Sequence, residues 1–342
     1  MNARKLQFGK ALSAALFVLL LSVVGMKNAL AQTQVATLQH GDDVSAFYGG
    51  NAFVQAHTAA ADGDIITLSS GKFAVPDQVT KAITLRGAGP VTDTVAGTAP
   101  TIFISTVNLN VANDSIPLIV EGILFSTTMN YYTLVNPKFT RCNFNRIDYW
   151  SGGNMSNAQF VNCIIKQFAF FQANGTTLIN SVVWEPSNIG QSHTVTLFNS
   201  IMGNASNVGG LSAYNSIFVR SSGSPQSTST FSNCIGINTY SGSNSYGAFG
   251  QAYTSGCVEY TSYEDVFESF AGTFSFDEAF ALKEEIATGF HGSDGTQAGI
   301  YGGPLPYSSR PGYMVLKRCN VAGRSTIDGK LSVDIEVVTE GE

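Results

Sequence analysis

Six polar residues recur at nearly constant spacing and carry the densest chemistry in this chain. Arg146, Gln167, Glu185, Asn204, Arg220 and Asn238 follow one another at steps of 21, 18, 19, 16 and 18 residues. Asp148, Tyr149, Trp150, Lys166 and Trp184 stand close to the first three. Sugars present apolar C–H faces and hydroxyl edges, and Trp and Tyr offer a large apolar face with a polar tip. Arg146, Asp148, Tyr149, Trp150, Lys166, Trp184, Glu185 and Arg220 are therefore the candidate carbohydrate-binding residues. The same side chains also suit the plain exposed turns of a repeating structure.

Catalysis on a polymer needs more acid than this. A glycoside hydrolase uses two carboxylates, one to protonate the leaving oxygen and one to activate water or attack. A calcium-dependent lyase needs a cluster of carboxylates and a basic residue to remove a proton. Residues 101–260 hold only five acids, Asp114, Glu121, Asp148, Glu185 and Glu259, with no D-D pair and no D-x-x-D run. No catalytic residue is assigned. His40, His57, His193 and His291 are scattered, and Asp294 is a single acid in its loop. No metal site and no cofactor are implied.

The elements that must position the row repeat with it. Phe139–Phe144, Phe160–Ile165, Leu178–Val183, Leu197–Met202, Ala213–Phe218 and Phe231–Gly236 share one pattern, with Cys or Ser at 142, 163, 181, 200, 216 and 234. A period near 20 marks a solenoid whose repeats stack on a shared core. Alternation points the first residue, the Cys or Ser and the residue two beyond it inwards. The residue before the Cys or Ser is Asn from 162 onwards, suited to a left-handed turn and to an amide ladder from rung to rung. Arg141 takes its place in the first copy. One consequence is awkward. Ile164, Val182, Ile201, Ile217 and Ile235 then point outwards. Either the phase is off by one, or a loop, the C-terminal region or a partner covers them.

The opening is more specific. An Ala-containing amphipathic stretch over 45–61 precedes Gly63-Asp64-Ile65-Ile66-Thr67-Leu68 with Gly71 and Phe73, then Lys81-Ala82-Ile83-Thr84-Leu85-Arg86-Gly87-Ala88-Gly89. This resembles the start of secreted right-handed parallel β-helix proteins of the pectate-lyase-like superfold. The segment Phe290–Pro304 resembles one near the end of such proteins from Bacteroidetes. The resemblance implies an all-β, right-handed parallel β-helix solenoid over 32–290, capped by a helix at 45–61, with main rungs at 118–260. A cap is physically required, since a bare first rung leaves backbone groups unpaired.

The ends differ in composition. Arg4, Lys5 and Lys10 precede an apolar run from Ala11 to Val24 and an Ala29-Leu30-Ala31 site. Residues 1–31 read as a cleavable signal peptide, hence secreted, periplasmic or cell-surface. No later stretch is apolar enough for a membrane span. Residues 274–286 suit a short helix or a strand-and-loop edge closing the solenoid. Residues 291–342 read as a Gly-rich segment and a small C-terminal β appendage, in which Leu331, Val333, Ile335 and Val337 alternate with polar residues and Met314–Val321 is the antiparallel partner. Cys142, Cys163 and Cys234 share one repeat position and read as buried free thiols, with Cys257 a candidate for the next copy and Cys319 outside the series. A net charge of -6 and a pI near 5.2 give no basic stripe for nucleic acid. The reading is a secreted or surface protein that binds carbohydrate or serves attachment without strong catalysis, a polysaccharide being the possible partner. A polysaccharide lyase or glycoside hydrolase, and a purely structural or adhesion module, are the alternatives. Oligomeric state is left open.

Overall fold

The computed structural model describes residues 34–309, other than 95–96, 192, 206–207, 224 and 243–245, and two further strands, Met314–Val321 and Val333–Thr339. The expected signal peptide at 1–31 and the turns within 322–332 lie outside the described residues.

The chain winds into a parallel β-solenoid of about ten turns. Each coil gives one strand to sheet A and one to sheet B, from Ile65–Leu68 and Gly71–Phe73 in the first coil to Tyr253–Ser255 and Val258–Tyr260 in the tenth. The repeated segments stack in register: Phe139, Phe160, Leu178, Leu197, Ala213 and Phe231 lie one above another. Their side chains fill the interior with Cys163, Ile165, Val183, Met202 and Phe218. The in/out phase read from alternation is therefore right. Phe rings continue the stack, with Phe125 on Phe144 at 4.5 Å and Phe139 on Phe160 at 4.9 Å between centroids.

The corner between the sheets is left-handed in eight successive coils. Gly122, Arg141, Asn162, Asn180, Asn199, Asn215, Asn233 and Gly256 have φ between 45° and 67°. Asn and Gly tolerate that region best. The expected amide ladder is not at this corner. The rungs are tied there by the next residue: the Cys163, Ser181 and Ser200 amides donate to the Ser181, Ser200 and Ser216 hydroxyls at 3.0, 3.1 and 3.1 Å. Amide-to-amide bonds join other turns, Asn130 to Asn108 and Asn157 to Asn136, both at 3.0 Å. Cys142, Cys163 and Cys234 are buried free thiols and Cys257 is a half-buried one.

The N-terminal cap is only partly a helix. Helix α1 is Ala52–Ala59. Residues expected to begin it instead form the strand Asp43–Tyr48, which pairs antiparallel with Val35–His40. Val35–His40 then pairs antiparallel with Ile65–Leu68, closing the edge of sheet A. Gly49 and Gly50 separate strand from helix, and Gly49 has φ 89°. A short stretch with few apolar residues fits a strand and a weak helix alike, so its pattern does not separate the two.

Residues 261–309 form a strap over the outer face of sheet B. Val266, Phe267, Phe270, Phe280, Leu282, Ile286, Ala298 and Ile300 pack on Ile164, Val182, Ile201, Ile217 and Ile235. The C-terminal region is what covers the outward stripe. Burying each of the Val, Leu, Ile and Phe side chains contributes about 1.5–3 kcal/mol, so a strap with one short helix, α2 (Glu284–Gly289), is held firmly without a sheet of its own. That helix begins ten residues after the expected start at 274, and the preceding part is irregular. Corner asparagines grip the strap. Asn180 Nδ2 donates to the carbonyls of Ile300 and Gly302 at 2.8 and 2.7 Å, and Asn215 Oδ1 accepts from the Ser293 amide at 2.9 Å. The glycines of 290–304 follow from this close approach. A Cβ on Gly302 would lie 1.8 Å from the Gln297 carbonyl oxygen and 2.7 Å from Asn199 Nδ2. Met314–Val321 and Val333–Thr339 pair antiparallel, as their alternation predicts.

Candidate functional site

Two long strands of sheet B, Leu124–Val135 and Asn143–Ser156, run past the corner of the coil into a third face. After a first shift between Phe144 and Arg146, their register runs from Arg146 opposite Thr128 to Tyr149 opposite Tyr131, and it resumes with Asn154 opposite Thr133. Trp150 to Gly153 therefore bulge out opposite Tyr132. Gly153 permits the bulge, since a Cβ there would lie 2.4 Å from the Tyr131 carbonyl oxygen.

The bulge lifts an aromatic surface into solvent. Trp150 is 51% exposed and stacks on Tyr132 at 5.3 Å, the planes 16° apart. Phe171 is 38% exposed and packs on Tyr149 at 4.4 Å. Tyr131, one residue from Tyr132, points inwards, fully buried, and its hydroxyl donates to the carbonyls of Ala169 and Phe171 at 2.9 and 2.6 Å. Burial pushes that phenol well above its ordinary range, so it stays a donor and fixes the loop that carries Phe171.

Beside the aromatics runs a polar row whose first three members keep rung register, whereas the expected row of six breaks at Asn204, since Arg220 stands opposite Ala205. Arg146 stacks on Gln167 and Gln167 on Glu185. Arg146 Nη2 and Nε donate to Asp148 Oδ2 at 2.6 and 2.9 Å, and the Tyr149 amide donates to Asp148 Oδ1 at 2.9 Å. Gln167 accepts from Arg146 Nη1 at 3.5 Å and donates to Glu185 Oε2 at 2.6 Å. Both oxygens of Asp148 are thus engaged in holding Arg146 and the backbone. Arg146, Asp148, Tyr149, Gly152, Phe171 and Asn188 line one open groove of about 700 Å³. Arg146, Gln167 and Glu185 line a smaller hollow of about 190 Å³ on the same strands.

The structure brings Arg146, Asp148, Tyr149 and Glu185 to these two hollows, with Trp150 exposed on the adjoining bulge and lining neither. Lys166 is half-buried on the strand Ile164–Ala169, and it lines neither hollow. Trp184 and Arg220 do not belong. Trp184 is 2% exposed, beneath the strap, with Phe270 edge-on at 4.9 Å and Phe280 at 6.3 Å. Gly203 in the next coil leaves the slot for its ring, since a Cβ there would lie 2.1 Å from Trp184 Cε3. Arg220 is fully buried; its guanidinium donates to the carbonyls of Gly223, Tyr246 and Gly247 and lies 4.7 Å over the Tyr240 ring. It pins two Ser/Gly-rich loops rather than facing a ligand.

Tyr132 and Phe171 were missed by the sequence reading. A usable signal existed. Tyr131-Tyr132 and Tyr149-Trp150 are adjacent aromatic pairs on neighbouring strands, and adjacent residues of a strand face opposite ways, whereas Phe170-Phe171 lies in the turn after Ile164–Ala169 and carries no such signal. One member of each strand pair must then face out.

Among the described residues, no three His, Cys, Asp or Glu side chains come together to hold a metal ion, and no helix is long and apolar enough to cross a membrane. Fold and site together define a parallel β-solenoid bearing an aromatic-lined groove on one long face. Set against models of known protein families, curated proteins and solved structures, the chain matches none of them.

Proposed function

We propose that this protein binds a polysaccharide along the groove lined by Tyr149 and Phe171 and across the exposed Trp150 beside it, after export through the leader at residues 1–31. The carrying observation is the pair of exposed aromatic faces, Trp150 on Tyr132 and Phe171 on Tyr149, next to the hydrogen-bonding row Arg146, Gln167 and Glu185. Aromatic faces take the C–H side of a sugar ring, and the row takes its hydroxyls. Rungs of a parallel sheet lie about 4.8 Å apart, so a polymer lying along the stack meets equivalent groups at regular intervals. The likeness of the opening segments to secreted pectate-lyase-like β-helix proteins supports the same reading. Asp148, with both oxygens held, orients Arg146; this favours binding over hydrolysis or elimination.

The test is retention of the mature protein on a panel of acidic and neutral polysaccharides, with new reducing ends assayed in the same samples. Retention without new ends is expected. Trp150→Ala should weaken it about tenfold or more, the cost of truncating an aromatic anchor. Unchanged retention in that variant sinks the groove as the binding site, and accumulating reducing ends would make the protein a lyase or hydrolase.

A further inference from the structure

The column of outward residues on sheet B changes character at one rung. Leu124, Asn143, Ile164, Val182 and Ile201 stand in register. From Ile164 onwards the column is covered by the apolar cluster of the strap. At Asn143 an amide takes the place of the aliphatic side chain. Asn143 is 1% exposed, and neither its amide nitrogen nor its amide oxygen has a hydrogen-bond partner among the described residues. A buried amide without partners is costly, and an aliphatic residue at this rung would avoid that cost.

Asn143 lines a cavity of about 700 Å³ between the strap and the loop of the second coil. This lies within the range of about 300–1,000 Å³ usual for small-molecule sites. Its walls are apolar and aromatic, from Leu124, Phe276, Tyr301 and Tyr307. Tyr301 and Tyr307 meet edge to face at 6.3 Å. Burial pushes both phenols above their ordinary range, so each keeps its proton at neutral pH. Asp277 and Glu278 stand at the same cavity as acceptors. None of the residues lining the groove of Tyr149 and Phe171 takes part.

We propose that this cavity is a second binding site, taking one small hydroxylated ring, neutral or bearing an amine. An amide offers a donor and an acceptor side by side, which suits neighbouring hydroxyls. Aromatic walls suit the C–H face of the ring. The two carboxylates repel an anionic ligand and attract an ammonium group. The site is independent of the polymer groove and stands without it.

The experiment is saturation-transfer NMR on the mature protein with methyl glucoside, glucosamine and glucuronate as probes at millimolar concentration. Methyl glucoside or glucosamine should give a signal, and glucuronate should bind more weakly than either. Asn143→Leu restores the aliphatic column, so it should fold, melt at or above the wild-type temperature and bind the probe about tenfold more weakly. Tyr307→Phe removes one donor without touching the column and should weaken binding as well. Trp150→Ala, tested in parallel, should keep probe binding, which separates this cavity from the groove. Four results overturn the proposal: no signal from any probe, wild-type affinity in Asn143→Leu, glucuronate binding as tightly as glucosamine, or loss of probe binding in Trp150→Ala.

Discussion

Replacing Trp184 by alanine should loosen the strap and leave the solenoid intact. Trp184 belongs to the outer cluster, with Tyr263, Phe270, Phe274 and Phe280 around its ring at 4.9 to 6.4 Å. The inner core is a separate cluster and contains none of these residues. A buried Trp removes about 150–250 Å² from water, and aromatic-to-alanine truncations in cores cost about 3–5 kcal/mol. Most of that loss falls on the contact between strap and sheet B. At about 1.4 kcal/mol per factor of ten, strap opening should rise by about two to four powers of ten. Hydrogen exchange read by mass spectrometry resolves this. Peptides spanning 263–301 should lose protection, while Thr176–Ile179 and Val195–Phe198 of sheet A keep theirs. Polysaccharide retention should be unchanged, in contrast to Trp150→Ala. Equal loss of protection in strap and sheet A would refute the two-cluster reasoning. Unchanged exchange everywhere would refute the burial of Trp184 beneath the strap.

Two further outcomes follow from ionisable groups. Burial, helped by the Lys81 charge, lowers His57 from its ordinary value of 6.5 to about 4, and its Nε2 accepts from the Thr80 amide at 3.4 Å. A depressed value in the folded state means that the unfolded chain binds the proton first, so the contribution is whole above pH 6.5 and is lost as pH falls towards 4; melting curves should show this fall in the wild type and a smaller one in His57→Gln. Cys257 is held down to about 7 by its hydrogen bond with the Cys234 thiol, whereas burial pushes Cys163 and Cys234 up. In a Cys319→Ser background, iodoacetamide should label Cys257 first, at a rate rising through pH 7, and equal labelling of Cys163 would contradict the assignment.

The solenoid was legible because its signal is repeated. One copy such as Phe160–Ile165 is an ordinary strand with a kink, but six at one period determine register, inward face and corner. The left-handed corner could be read from Asn alone, and φ values of 45° to 53° at Asn162, Asn180, Asn199, Asn215 and Asn233 bear that out. What the corner amides do could not be read. Their partners are backbone carbonyls and amides some 80 to 120 positions away in the strap, as at Asn180 and Asn215. The cap was misread for the opposite reason: its signal is short and unrepeated, and Asp43–Tyr48 fits either period.

The candidate site was half legible, and the division has a physical cause. Alternation tells which side of a sheet a residue takes, but not whether that side is wet. Trp184 and Trp150 both point away from the interior, and only the strap makes one a core residue and the other a surface one. The outward column holds the missing information. Where it is aliphatic, from Ile164 to Ile235, water is an unfavourable neighbour and some segment of the chain must lie over it. The aromatic-rich, Gly-rich stretch 263–307 is the segment able to do so, with apolar side chains to bury and glycines that let its backbone sit on the corners. A tryptophan on those covered rungs is core by necessity. At Asn143 the aliphatic column is interrupted, and Arg146, Asp148 and Trp150 lie further along that same strand, which continues past the corner of the coil. The interruption of the aliphatic column therefore marks the strand whose continuation carries the surface on which a ligand can be held.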